Sequence, residues 1–113
     1  MFIGYREVST MRSPNTDRNG TQFSTTTVAA VWQKGQIVSG YDSAQVRKDS
    51  CGAFMKWSDY GNTNSQWGWE VDHIRPVSQG GSDNLANLQP LQWQNNRHKA
   101  DNYPNWSCAV NAA

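Results

Sequence analysis

The sequence predicts one small α+β domain, in which an aromatic hairpin precedes a strand, a long loop, a second strand and a helix. The chain has 113 residues, within the usual size of a single domain. Six tryptophans, four tyrosines and three phenylalanines supply large apolar surfaces to an otherwise polar chain, and such side chains dominate the burial energy of small cores. Clusters of Gly, Asn, Ser and Pro separate the short apolar runs, which favours short elements joined by turns.

The N-terminal quarter differs in composition from the rest. Residues 1–26 are rich in Ser, Thr, Asn and Arg and show neither helical nor strand periodicity, so we expect a loosely ordered arm followed by one folded domain over residues 27–113. The apolar run at 28–32 and a second run at 37–38 predict short strands or irregular packed segments. Residues 1–45 match no motif and can hold determinants of specificity.

The remaining elements follow in order. Residues 47–71 alternate charged, aromatic and Gly or Asn positions, which predicts a hairpin. A strand is expected over residues 67–74, and the Gly, Ser, Asp and Asn residues after it form a loop. Residues 87–89 predict a return strand, and Pro90 is expected at the first turn of a helix running to about Ala100.

The charge and the hydropathy of the chain bear on its expected binding partners and on its expected cellular location. Ten basic and nine acidic side chains give a formal charge of +1, far from the balance of proteins held to nucleic acid by bulk electrostatics. The N-terminus lacks the pattern of a signal peptide, and no run approaches the roughly 18 apolar residues of a membrane span. We expect no membrane partner and an intracellular location by default, with a secreted toxin domain as the alternative.

Two cysteines admit two interpretations. Cys51 and Cys108 can form a bridge in an oxidising compartment, but a pair so distant in sequence predicts no geometry, so we expect free, partly buried thiols. A structural zinc site normally needs four thiolate or imidazole ligands in short paired spacings. With two cysteines and two histidines in the whole chain, no structural zinc is expected.

The chemistry is concentrated in residues 69–99, where four short motifs follow one another. They are Asp72-His73, Gly80-Gly81, Asn87-Leu88 and a predicted helix carrying Asn96 and Lys99. Their order and spacing resemble the HNH endonuclease family, and the likeness extends more loosely to residues 51–52 and 59–62. Many members carry a second cysteine pair where this chain has Gln92 and Asn95. Asn96 replaces the final histidine of the family name, which makes this a His-Asn-Asn variant.

The resemblance implies a ββα-metal fold, also called a His-Me finger, with an N-terminal extension and no structural zinc. It implies hydrolysis of DNA phosphodiester bonds with one divalent cation held by Asp72 and Asn96. An oxygen-rich, sparse ligand set favours Mg²⁺ or Mn²⁺. His73 is the expected general base, because an imidazole can take a proton from water near neutral pH. Asn87 is expected to accept a hydrogen bond from that imidazole and fix its tautomer.

Several alternatives stay open. His98 can replace Asn96 as the metal ligand if the helix register differs by two residues, and Asn87 can simply cap a turn. Adjacent strand residues point to opposite faces, so Asp72 and His73 can share a site only if the strand twists or ends there. An inactive nucleic-acid or protein-binding module of the same fold is the alternative to an enzyme.

The basic residues near the motif also have two interpretations. We expect them to bind neighbouring phosphates of the DNA, although a solvated helix face is the alternative. The tryptophans are expected to be mostly core rather than platforms for base stacking. The basic residues concerned are Arg75, Arg97, His98 and Lys99.

Overall fold

The computed structural model describes residues 12–111, which contain two α-helices, two small antiparallel sheets and three short 3-10 helices. The expected α+β class is confirmed, while residues 1–11 of the predicted arm lie outside the described residues. Neither α-helix is long and apolar enough to cross a membrane. The helices are α1 (Thr25–Trp32) and α2 (Trp93–Lys99). The strands are β1 (Gln36–Ile37), β2 (Val46–Lys48), β3 (Phe54–Lys56), β4 (Trp69–His73) and β5 (Leu88–Gln92).

Helix α1 occupies the apolar run for which strands or irregular segments are expected, so that prediction is wrong. Ser24 caps the helix, because its hydroxyl accepts a hydrogen bond from the amide of Thr27 at 3.1 Å. Val28, Val31 and Trp32 are buried, and their i, i+3, i+4 spacing places one helix face in the core. This spacing outweighs the strand preference of the β-branched residues in the run.

The first sheet has the order β1-β2-β3 and contains the expected hairpin. Arg47 of β2 lies opposite Met55 of β3 and is only 6% exposed. Its guanidinium donates to the carbonyls of Gln33, Gly35 and Ser43. The buried arginine therefore ties the chain after α1 to the sheet.

The second sheet pairs β4 with β5 antiparallel, and α2 follows β5 directly, which gives the expected ββα arrangement. The pairing runs from Trp69 opposite Gln92 to His73 opposite Leu88. Pro90 lies inside β5 rather than at the start of a helix, so its predicted position is wrong. Since β5 has only one neighbouring strand, the missing N–H of a proline is tolerated there.

Trp69 is the centre of the core and is fully buried. Its ring centroid lies 5.0 Å from that of Trp32, 5.9 Å from that of Trp57 and 4.9 Å from that of Tyr60. The core thus joins α1, the segment after β3 and β4. Trp32 and Trp69 are core residues, and the half-buried Trp57 packs against them.

A buried carboxylate network joins β5 and α2 to the turn before β3. Asp49 is 1% exposed, and its Oδ2 accepts hydrogen bonds from the amide of Gln92 at 2.9 Å and from Nδ2 of Asn95 at 3.0 Å. Its Oδ1 accepts the amides of Cys51 and Ala53, each at 2.9 Å. The network therefore contains the two residues, Gln92 and Asn95, that stand at the positions of a second cysteine pair in the pattern the sequence resembles.

The two cysteines form a disulfide, Cys51 to Cys108, with a Cα–Cα distance of 5.9 Å. The expectation of free thiols is therefore wrong. The C-terminal segment returns to α2, where Oδ1 of Asn95 accepts the amides of Ala109 and Val110. These contacts deliver Cys108 to the turn that carries Cys51, a long-range meeting that sequence spacing does not reveal.

Candidate active site

A cavity of about 340 Å³ lies between the end of β4, helix α2 and residues 12–16. Asp72 and His73 from β4 line it together with Asn96 from α2. His73 is the last residue of β4, so the regular strand ends where its two adjacent side chains must share one site. The cavity therefore brings together the base and the two cation ligands that the resemblance implies.

Asp72 is nearly buried, at 6% exposure, and has a polar partner on each oxygen. Gln89 donates to Oδ2 at 3.0 Å, and the ammonium of Lys99 lies 3.3 Å from Oδ1. Burial raises the pKa of the Asp72 carboxyl, while the Gln89 hydrogen bond and the Lys99 charge oppose that rise. Each carboxylate oxygen has two acceptor positions, so both oxygens keep capacity for a further ligand.

His73 is held through one ring nitrogen. Its Nε2 lies 2.8 Å from Oδ1 of Asp83, and the ring of Phe23 packs beside it at a centroid distance of 5.7 Å. An ionised carboxylate only accepts hydrogen bonds, so this contact puts the proton on Nε2 and leaves Nδ1 as the basic nitrogen. The geometry therefore assigns the orienting role to Asp83, which the motif did not single out.

Asp83 is itself anchored by the N-terminal segment. The amide of Arg18 donates to both carboxylate oxygens, at 3.1 Å and 3.2 Å. Partial burial acts to raise the pKa of Asp83, but the hydrogen bonds from His73 and Arg18 outweigh it, and the pKa is lowered. The carboxylate is therefore ionised wherever the imidazole acts as a base.

Asn87 does not orient the imidazole, so that expectation is corrected. Its Nδ2 donates to the carbonyls of Arg75 and Ser82, at 3.1 Å and 2.8 Å, and its Oδ1 accepts the amide of Arg75 at 2.9 Å. Both donors and one acceptor position of Asn87 are thus used within the loop between the two strands, and its side chain has no hydrogen bond to His73 in the described residues. Asn87 braces the loop that carries Asp83 and reaches His73 only through it.

The same loop requires a glycine at position 81. A Cβ at Gly81 would lie 1.7 Å from the carbonyl oxygen of Arg75 and 3.0 Å from Nδ2 of Asn87. Any side chain there would displace the loop from its hydrogen bonds with Asn87. Gly81 therefore acts on the site through the position of Asp83.

Asn96 is oriented by Glu70, a buried residue that the motif also left unassigned. Glu70 is 1% exposed, and its Oε1 accepts Nδ2 of Asn96 at 2.8 Å. Arg97 binds the same carboxylate through Nε at 3.2 Å and Nη2 at 2.8 Å. Because the amide nitrogen of Asn96 is engaged, its oxygen is the end available to a cation. Strand periodicity places Glu70 on the same face as Asp72, which is the signal that identifies it.

The segment that carries most of this site matches a protein-family model. The family model for the HNH endonuclease matches residues 50–102, a segment that runs from before β3 to beyond α2. Residues 50–102, called the HNH domain below, are similar to the HNH endonuclease family. This HNH domain indicates nuclease-type activity, which in the family acts on nucleic acid with divalent metal ions. The chain has no significant match among curated proteins or solved structures.

The basic residues of the HNH domain take different positions. Arg75 is exposed and its Nε donates to the carbonyl of Gln79, and Arg97 keeps a side chain that is 48% exposed beside its Glu70 pair. His98 is exposed and does not line the cavity. Asn96 lines it, which favours Asn96 over His98 as the ligand.

Lys99 does not lie on the surface, where a residue that binds a DNA phosphate is expected. It is fully buried, and its ammonium donates to Oδ1 of Asp72 and, at 3.0 Å, to the carbonyl of His73. A side chain enclosed in this way cannot contact a DNA phosphate on the surface. Lys99 instead fastens the end of α2 to the end of β4, next to the candidate cation ligands.

The cavity offers two protein oxygen ligands for a cation, one charged from Asp72 and one neutral from Asn96. Within residues 12–111 no three His, Cys, Asp or Glu side chains cluster as metal ligands. A two-ligand set of oxygens fits a hard cation such as Mg²⁺, which usually keeps several waters and binds substrate phosphate as well. The donor set of the HNH domain therefore fits one hard divalent cation.

Proposed function

We propose that this chain is a metal-dependent DNA endonuclease that hydrolyses phosphodiester bonds with one divalent cation, Mg²⁺ or Mn²⁺. The observation that carries the proposal is that Asp72, His73 and Asn96 line one cavity. The HNH match supports the nuclease class. DNA as the substrate and the identity of the cation are parts of the proposal.

In this proposal His73 accepts the proton of the attacking water on Nδ1. Oδ1 of Asp83 lies 2.8 Å from Nε2 of His73 and accepts its proton in a hydrogen bond. This contact leaves Nδ1, on the other side of the ring, as the basic nitrogen. When the imidazole gains its second proton, the same carboxylate stabilises the positive charge. Asp83 is thus a positioning residue and His73 the catalytic one.

Asp72 and Asn96 hold the cation in this proposal. A divalent cation bound there supplies positive charge beside the phosphoryl oxygens and the leaving oxygen. Glu70 fixes the amide of Asn96, and the oxygen-only ligand set favours Mg²⁺ or Mn²⁺ over Zn²⁺. Arg75 and Arg97 are proposed to bind phosphates on either side, since both side chains reach solvent.

The test is cleavage of supercoiled plasmid with Mg²⁺ or Mn²⁺, with EDTA as the metal control. His73→Ala and Asn96→Ala are expected to abolish nicking, while His98→Ala serves as the matched control outside the cavity. Loss of cleavage in His98→Ala but not in Asn96→Ala would move the ligand to His98. Metal-independent cleavage would contradict the proposal.

One observation favours the inactive module as the second candidate. The ammonium of Lys99 lies 3.3 Å from Oδ1 of Asp72, so a positive charge already stands beside the charged ligand. If that charge excludes a cation, the protein binds DNA but does not cleave it with either metal. The plasmid assay combined with a gel-shift assay separates the two functions.

A further inference from the structure

Residues 12–23 form a strap that lies outside the HNH match and closes one side of the site. Thr16 pairs with Gln22 in an isolated bridge, and Asp17 accepts the amides of Asn19 and Thr21 within the turn between them. The strap is therefore a hairpin-like loop with its own hydrogen bonds. The strap lies within residues 1–26, for which the sequence predicts a loosely ordered arm.

The strap contacts the strand that carries Asp72 and also His73, the proposed base, and its partner Asp83. Oδ1 of Asn15 accepts the amide of Val71 at 2.8 Å, one residue before Asp72. The amide of Arg18 holds Asp83, and Phe23 packs against His73. The position of the strap is thus fixed relative to both the cation ligands and the base.

Arg12 lies at the start of the strap and lines the same cavity as Asp72, His73 and Asn96. Its Nη2 donates to the carbonyls of Thr16 and Asp17, so the strap backbone holds the guanidinium in place. Neither bond uses Nη1 or Nε. In the described part of the chain, Arg12 has no carboxylate partner within salt-bridge distance.

The other cations at the site are committed to carboxylates. Arg97, which also lines the cavity, is paired with Glu70, and the buried Lys99 is paired with Asp72. Within residues 12–111, Arg12 is therefore the cation of the cavity wall that no carboxylate neutralises. A guanidinium is well suited to a phosphate, because its planar fork of N–H groups can bind two phosphate oxygens through parallel hydrogen bonds.

We propose that Arg12 binds the non-bridging oxygens of a substrate phosphate in this cavity, so that the strap contributes a phosphate contact to the HNH domain. The inference rests on the proposed function, because it takes the ligand to be a nucleic-acid backbone. It assigns a substrate-binding residue to a segment that the family match does not include.

The experiment measures binding rather than cleavage, on wild type, Arg12→Ala, Arg12→Lys and Lys56→Ala. Lys56 is an exposed cation on β3 that does not line the cavity, so it is the charge-matched control. Fluorescence anisotropy follows a labelled DNA duplex in EDTA over a range of NaCl concentrations. Arg12→Ala is expected to weaken binding about tenfold and to reduce the slope of log K against log salt by about one.

Arg12→Lys is expected to keep the salt slope of wild type while binding more weakly, because an ammonium keeps the charge but loses the two-point contact. Arg12→Ala with the affinity and slope of Lys56→Ala would overturn the inference, as would wild type that does not bind duplex. Plasmid cleavage by wild type, measured separately, decides the nuclease proposal. A reduced slope in Arg12→Ala without cleavage by wild type would support Arg12 and reject the nuclease.

Discussion

Replacing Asp83 by Asn is expected to harm catalysis at least as much as replacing it by Ala. Asp83 lies 2.8 Å from Nε2 of His73, and as a carboxylate it can only accept the proton there. Asparagine at this position can donate to Nε2 instead, which moves the imidazole proton to Nδ1 and blocks the base. Alanine removes the partner without imposing the wrong tautomer.

The magnitude follows from the hydrogen bond. A charge-assisted hydrogen bond contributes about 1.5–3 kcal/mol, and the side chain of Asp83 is 32% exposed, which places this contact near the lower end. A loss of about 1.5 kcal/mol in the transition state lowers kcat about tenfold for Asp83→Ala. Asp83→Asn is expected to lose tenfold or more, with KM for DNA little changed.

The assay is initial-rate nicking of plasmid at saturating Mg²⁺, with kcat and KM determined separately. Asp42→Asn is the matched control, because Asp42 is an exposed carboxylate that caps the turn at Ala44 and does not line the cavity. Wild-type kcat in Asp83→Asn would refute the assignment of Asp83 as the residue that sets the tautomer. Equal losses in Asp83→Asn and Asp42→Asn would refute it as well.

Three further predictions concern stability. Asp49→Ala leaves four hydrogen-bond donors, three of them buried, without their acceptor. It is expected to lower the free energy of unfolding, measured by urea denaturation, by about 3–5 kcal/mol, against less than about 0.5 kcal/mol for Asp42→Ala. Reduction of Cys51–Cys108, separated by 57 residues, is expected to cost about 4 kcal/mol, seen as a lower urea midpoint with dithiothreitol; an unchanged midpoint would contradict it. The lowered folded-state pKa of Asp83 gives stability that is present above its unfolded pKa and lost as pH falls through the folded value. The difference in urea midpoint between wild type and Asp83→Asn should therefore shrink below about pH 4; a constant difference from pH 7 to pH 2 would contradict the shift.

The sequence predicts the parts of the site whose signals are local. Asp72 and His73 are adjacent, and Asn96 follows in the helix of the same motif, so the resemblance that these motifs carry implies a ββα site. Strand periodicity also predicts that Glu70 lies on the same face of the strand as Asp72. The burial of Lys99 was not open to prediction, because a lysine is almost never fully buried unless it is paired, and its partner Asp72 comes from another element.

The rest of the architecture depends on long-range contacts that spacing does not encode. Asn15 meets Val71 across 56 residues, and the amide of Arg18 meets Asp83 across 65. Such contacts use single backbone groups, which leave no periodic pattern. The position of Pro90 was missed for a different reason, since a proline suits both the first turn of a helix and an edge strand.

The most direct measurement is anomalous diffraction from a crystal of the protein soaked with Mn²⁺. The account predicts one strong peak in the cavity, at coordination distance from a carboxylate oxygen of Asp72 and from Oδ1 of Asn96, with Nδ1 of His73 facing the same space. A peak at His98, or no peak beside Asp72 at saturating Mn²⁺, would contradict it.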